Sequence, residues 1–370
     1  MKLVLYRDRQ GNPLGTTPGL QHNGIRVPNG SQMMGDIFEH IAEHYGWSII
    51  YSSDINECDL VVFNLDRNHI YANFNPVLFV KQESWQTIRQ LGIPVVFWHS
   101  GECHSSDAEW YRFACNHTGI NIWYIDSNFR STGKHHLFFD SSDTVSIEEY
   151  HTNNINYSGI ENAYDYKFTT VTTRSEFHKN VIVSHLREKY PDSVYTKYTR
   201  PNLAEIQEDI YELFPDFIIK DITPDNEYLS RGHIIKEMKK SCIVITLNTY
   251  FTNFDPTYDP LYITDKFSSE LSMDKPVIPV GHWGTVEYLK AQGYSFPDWI
   301  DYSFDNCRND NDRLKMIIAE IDRLAVIDNL AELSEQFAKT KCNFYNFQKN
   351  NMKKQFTECV NTILSNTINK

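Results

Sequence analysis

Two groups of side chains in this chain have the types and spacing that chemistry requires. The first is a set of cations. Lys167, Arg174, Lys179, Arg187, Lys189, Lys197 and Arg200 fall within 34 positions of a protein whose net charge is −13. Arg174 directly follows a β-branched run, Lys167–Thr172 (KFTTVT), and Lys179 lies one turn into the amphipathic segment Glu176–Lys189. Cations where a strand meets a helix N-terminus attract phosphates, because the unpaired backbone N–H groups there point the same way. The same cluster also fits a solvated helix face. The second group is the loop His99-Ser100-Gly101-Glu102-Cys103-His104, which the apolar run Pro94–Trp98 (PVVFW) enters directly. Glu102 is a candidate general base, and His99 a candidate base or orienting partner. His99, Glu102 and His104 are also zinc-ligand types, but their spacing matches no standard zinc signature. A plain connection with hydrogen-bonded histidines is the third reading.

The elements that must position a site are clearest between Ser241 and Gly281. Cys242–Thr246 is a β-branched run of the kind that forms a buried parallel strand. Phe251–Pro260 is polar, contains two prolines and reads as a loop. A helix follows over Thr264–Met273, with Thr264 as candidate N-cap, Lys266 in the first turn, and Phe267 and Leu271 four apart on one face. Pro276–Val280 is a second buried strand closed by Gly281. The unit is βαβ, and ligands in open α/β sheets bind at the carboxyl ends of the strands. Lys266 is therefore a candidate for a phosphate. Asp265 is a candidate for ribose hydroxyls and Glu270 a second one. The plainer reading makes Asp265 and Lys266 a charge pair on a surface helix. The Gly-rich loop Gly15–Gly35 reads as a cover for an acceptor, Asp255–Pro260 (DPTYDP) as turn structure, and the aspartates of Asp298–Asp312 as a solvated acidic loop.

The rest of the chain alternates strand and helix patterns. Strands are expected over Lys2–Tyr6, Trp47–Tyr51, Asp59–Asn64, Pro94–Trp98, Asn121–Ile125, His135–Phe139, Lys167–Thr172, Val194–Tyr198 and Asp216–Ile219. Helices are expected over Asp36–Tyr45, Glu83–Leu91, Glu176–Lys189, Tyr228–Lys240, Thr285–Ala291 and much of Ala331–Ile368. That alternation defines an α/β protein of doubly wound domains. At 370 residues, two domains are favoured over one. No apolar run reaches the length of a membrane span, and the early charges of MKLVLYRDRQG do not suit a signal peptide. Seven scattered cysteines without a Cys-x-x-Cys fit a reducing cytoplasm rather than a disulfide framework. The negative charge excludes a general nucleic-acid-binding surface but not a local basic groove.

Three segments carry a family resemblance: Ile245-Thr246-Leu247-Asn248-Thr249, then Ile263-Thr264-Asp265-Lys266, then Pro276-Val277-Ile278-Pro279-Val280-Gly281. Together they resemble the late segment of GT-B glycosyltransferases, in particular fucosyltransferase-like enzymes and transferases of phages, including phage DNA-base glycosyltransferases. The run Gly281–Phe296, the run Asp301–Asp305 and the pair Asp312-Arg313 continue the likeness, which covers roughly Tyr166–Leu324. Two positions depart from the pattern. Asn248 stands where the pattern is acidic, and Asp265 is a shortened acid.

The resemblance implies a GT-B fold: two Rossmann-like domains facing a cleft. It places an acceptor-side domain at 1–164, a nucleotide-sugar domain at 165–330, and a helical segment at 331–370 that crosses back to the first domain. It implies a UDP- or GDP-linked sugar donor bound by Arg174, Lys179, Asn248, Thr264, Asp265, Lys266 and Glu270, with no obligatory metal. Glu102 and His99 would serve the acceptor, either a hydroxymethylated DNA base or a surface glycan. The enzyme would be phage-encoded and work in the host cytoplasm. A catalytically inactive GT-B-like module that binds a nucleotide or glycan is the alternative, to which Asn248 points.

Overall fold

The computed structural model describes residues 2–6, 21–22, 25–26, 46, 48–52, 58–65, 82–99, 122–126, 136–138, 164–199, 209–220, 222–225, 231–248, 251–252, 261, 263, 265–340, 342–349 and 352–368. The chain divides into two units. One holds Met1–Ser141, Asp255–Pro260 and Asn351–Lys370; the other holds Ser142–Phe254 and Leu261–Asn350.

The first unit is built on a six-stranded sheet. Its strands are β1 (Lys2–Tyr6), β4 (Ser48–Ser52), β5 (Leu60–Leu65), β6 (Val95–His99), β7 (Ile122–Asp126) and β8 (His136–Phe138). The order is β4-β1-β5-β6-β7-β8, and every pairing is parallel. A separate antiparallel pair joins β2 (Gln21–His22) to β3 (Ile25–Arg26). Val61, Val62, Val95 and Val96 are buried in the sheet centre, as expected of parallel strands covered on both faces. Helix α1 (Gln82–Leu91) precedes β6 and stops at Gly92, whose φ of 65° is the left-handed C-terminal geometry glycine supplies. α10 (Met352–Ile368) closes the chain and belongs to this unit.

The second unit has four parallel strands in the order β10-β9-β11-β12: β9 (Tyr166–Thr172), β10 (Val194–Tyr198), β11 (Ser241–Leu247) and β12 (Val277–Val280). Its helices are α2 (Phe177–Lys189), α3 (Asp209–Leu213), α4 (Arg231–Lys239), α5 (Asp265–Leu271), α6 (Thr285–Ala291), α7 (Asp310–Ala325), α8 (Leu330–Ala338) and α9 (Cys342–Lys349). One core gathers Phe168 and Ile243 of the sheet, Ile182 and Leu186 of α2, and Ile317, Ile321 and Leu324 of α7. Asp322 ties α2 to α7 by accepting from His185 Nε2 (2.7 Å), Lys189 Nζ (2.6 Å) and the Tyr190 hydroxyl (2.6 Å). Burial alone would raise this carboxyl's pKa; the donors from Lys189, Tyr190 and His185 outweigh it and hold it below the ordinary value. Asp322→Asn is therefore expected to lower the thermal midpoint by about 2–4 °C at pH 7. A carboxylate with a depressed folded pKa stabilises above its unfolded value, so the gap to wild type closes as pH falls through the folded pKa. Melting curves between pH 7 and pH 2 check both points.

Four expectations change. Asp216–Ile219 is not a strand: Ile218 is 83% exposed, and Asp216 is held at α7 by Asn311 (2.5 Å) and Lys315 (2.8 Å). Asp298–Asp312 is not simply a solvated loop. Asp305 is buried and accepts from Glu287 N at 3.0 Å, capping α6, and Asn309 caps α7 through Asp312 N at 2.9 Å. The C-terminal segment is three helices. The first two, set against the first domain in the sequence reading, bond within the second unit: Ser334 Oγ donates to Cys242 O at 2.5 Å, and Asn343 Nδ2 to Ser295 O at 2.8 Å. The unit boundary falls after Ser141, earlier than the expected 164.

Candidate anion site at the edge of the second sheet

The site is assembled at the carboxyl ends of β9, β11 and β12. β9 ends at Thr172, a short turn carries Arg174, and α2 begins at Phe177. Glu176 is the N-cap residue, with extended backbone (φ −132°, ψ 154°), yet its side chain makes no cap bond. No side chain of the cap position therefore serves the first-turn N–H donors of a 13-residue helix. The Glu176 carboxylate instead meets Lys179 Nζ at 2.5 Å.

Lys179 is 1% exposed. Burial disfavours its charge, the positive charge of Lys266 adds to that, Glu176 opposes it, and Arg174 adds a smaller push downward. The balance lowers its pKa to about 8. Cations from two other stretches, Arg174 in the turn and Lys266 in the first turn of α5, thus act on the charge of Lys179 in α2. Arg174 is exposed and Lys266 half-buried.

Beneath them lies a packed layer. His178 is buried, its Nε2–H donates to the Asn248 carbonyl at 2.8 Å, and its ring stacks on Phe251 with centroids 4.9 Å apart. Arg313, 1% exposed, sets its guanidinium 4.2 Å from the centre of the Phe251 ring and donates to the Phe251 carbonyl at 2.5 Å. The Asn248 N–H donates to Val280 O at 2.9 Å. A Cβ on Gly281 would lie 3.3 Å from Asn248 Nδ2 and 3.6 Å from the Phe267 ring, so glycine is what lets these groups close up.

The expected donor residues separate into groups. Arg174 and Lys266 both act on the charge of Lys179. Asn248 is fully buried, and its backbone carbonyl and N–H hold α2 and β12 to the end of β11. Glu270 is buried, and its carboxylate accepts from the Thr246 hydroxyl of β11. Asp265 is the first residue of α5, and Thr264 lies outside the described residues. In the first unit His99 is the last residue of β6, while Glu102 and His104 lie outside the described residues, as do Gly15–Gly19, Asp255–Pro260 and Arg200. The register sets His99 directly beside Asp126, the last residue of β7. The sequence alone places the end of that strand at Ile125, one residue short of Asp126. The signal was available, since parallel neighbours end on one edge. Sequence reasoning missed Arg313 as a structural cation; its place in an apolar helix face of period 3.6 was the clue. Among the described residues, no three His, Cys, Asp or Glu side chains gather as a metal site, and no helix is long and apolar enough to cross a membrane.

No family model matches the chain, and no curated protein matches it. Among solved structures it is similar to a mutant of T4 phage BGT in complex with UDP-glucose, at 10% identity over 97% of this chain and 99% of that one, with a TM-score of 0.47. It is also similar to a DNA-modifying β-glucosyltransferase solved with and without uridine diphosphoglucose, at 10% identity over 98% and 99%, with a TM-score of 0.48. A UDP-GlcNAc 2-epimerase from Neisseria meningitidis bound to UDP-GlcNAc follows at 13% identity over 99% and 100%, with a TM-score of 0.38. Scores below 0.5 leave the functional reading to the residues themselves.

Proposed function

We propose that this protein is a glycosyltransferase that moves a sugar from a nucleoside-diphosphate sugar, UDP- or GDP-linked, to an acceptor hydroxyl. The observation that carries the reading is that Lys179, in the first turn of α2, feels the charges of Arg174 and Lys266, where the N-cap side chain makes no cap bond. Such a group suits a leaving diphosphate, whose negative charge grows as the bond to the anomeric carbon breaks. The sequence resemblance over Ile245–Gly281 supports the same reading. In the reaction the acceptor oxygen bonds to the anomeric carbon, the diphosphate leaves with the bonding electrons, and the hydroxyl proton passes to a base. Glu102 or His99 of the first unit is that base.

Calorimetry with UDP and GDP tests the donor site. Lys266→Ala and Arg174→Ala are each expected to weaken binding about tenfold or more, the scale of a lost charge-assisted phosphate contact. Unchanged affinity in both would remove the assignment. Release of nucleoside diphosphate from a panel of UDP- and GDP-sugars then tests turnover, with hydroxymethylated DNA and with glycans as acceptors. Thermal stabilisation by a nucleotide sugar without any release would favour the inactive binding module instead.

A further inference from the structure

We infer that His178 is a positioning residue for the anion site: through Asn248, Gly281 and Phe267 it fixes the spacing between Lys179 and Lys266. This rests on the reading of those lysines as the diphosphate-binding pair. The links are two hydrogen bonds and the close approach of Asn248 and Phe267 to Gly281. His178 precedes Lys179 in the first turn of α2. Its Nε2–H holds the Asn248 carbonyl at 2.8 Å, and the backbone N–H of the same Asn248 is held by Val280 O at 2.9 Å. Asn248 in turn lies against Gly281, close enough that an added Cβ would touch its amide at 3.3 Å. The Phe267 ring borders the same point, 3.6 Å from that Cβ, and Phe267 follows Lys266. A path of buried, closely placed groups therefore runs from one lysine to the other, and close packing transmits displacement.

His178 is suited to this role because it is both a donor and a flat ring. The donor ties the first turn of α2 to the end of β11, and the ring stacks on Phe251. Phe251 is itself pinned by Arg313. The imidazole stays neutral at neutral pH: burial removes the charged form, the charges of Lys179, Arg313 and His282 add to that, and the bond to Asn248 opposes it.

The test is calorimetric titration with UDP and GDP of His178→Phe, which keeps a ring and loses the donor, and His178→Gln, which keeps a donor. Each is combined with Lys266→Ala. His178→Phe is expected to weaken binding about tenfold, with His178→Gln recovering most of that loss, and Lys266→Ala adding little to His178→Phe, since coupled sites are non-additive. Should His178→Phe fail to fold, Gly281→Ala presses on the same path from the other end and is expected to weaken binding about threefold or more. Wild-type affinity in His178→Phe and Gly281→Ala, while Lys179→Met and Lys266→Ala lose binding, would overturn the positioning role and leave the anion site standing. Full additivity of His178→Phe with Lys266→Ala would also overturn it. Wild-type affinity in Lys179→Met and Lys266→Ala would overturn the anion site, and the positioning role with it.

Discussion

Lys179→Met should cut the affinity for UDP or GDP by about ten- to a hundredfold, the range for losing a charge-assisted hydrogen bond to phosphate. It should also abolish a specific pH dependence. Lys179 loses its proton near pH 8 because burial, Lys266 and Arg174 all disfavour its charge. A diphosphate needs the charged form. Affinity in the wild type should therefore hold below pH 8 and fall above it, by at most about tenfold per pH unit for one proton. The stability of the ligand-free protein should move the other way. The folded pKa lies below the unfolded value of 10.5, so between about pH 8 and 10.5 the unfolded chain binds the extra proton and this lysine's penalty on folding fades with rising pH. Calorimetry and melting curves from pH 7 to 10, each compared with Lys179→Met, separate the two. An affinity slope that survives in Lys179→Met would assign the titration to another group.

Substitution in the first unit should give the larger effect on turnover. Glu102→Gln or His99→Ala is expected to slow sugar transfer by about 100- to 10,000-fold, the range for removing a general base, while UDP binding stays within a few-fold of wild type. His99 ends β6, the strand flanked by β5 and β7 in an all-parallel sheet. The carboxyl end of such strands is where open α/β sheets place their ligands. A loss confined to Glu102 names it as the base; a loss confined to His99 names the histidine. Asp126 then becomes the next residue to change, since the register sets it beside His99. Near-normal turnover in both variants would move the base elsewhere.

The parallel strands were legible because each is a short apolar run between turn residues. Lys2–Tyr6 and Val194–Tyr198 match to the residue, and the ends of the others shift by no more than one position. Asp216–Ile219 misled because its FII run looks like a strand, whereas Phe217 and Ile219 pack on the core and Ile218 points to solvent. Composition shows how apolar a run is, but not that a neighbouring helix will supply Asn311 and Lys315 to hold it as a turn. The same limit applies to the site. Arg174, Lys179 and Lys266 could be picked out one by one from strand ends and helix starts. That Lys266 acts on Lys179 across roughly ninety residues of sequence depends on tertiary structure. So does the burial of Asn248 and Glu270: the pattern that marks them as polar positions near a ligand is also satisfied by polar groups that hold the sheet edge together.

The contact between Glu176 and Lys179 has a bearing on selectivity. The protein brings its own anion to the cation it would offer a ligand. A phosphate arriving there enters an exchange, and its affinity measures how far it outdoes a resident carboxylate. A singly charged guest gains little from that trade. A guest with several negative charges, long enough to engage Arg174 and Lys266 together with Lys179, gains from every cation that Glu176 does not hold. Discrimination between monophosphate and diphosphate would then come from the carboxylate already in place as much as from the cations around it.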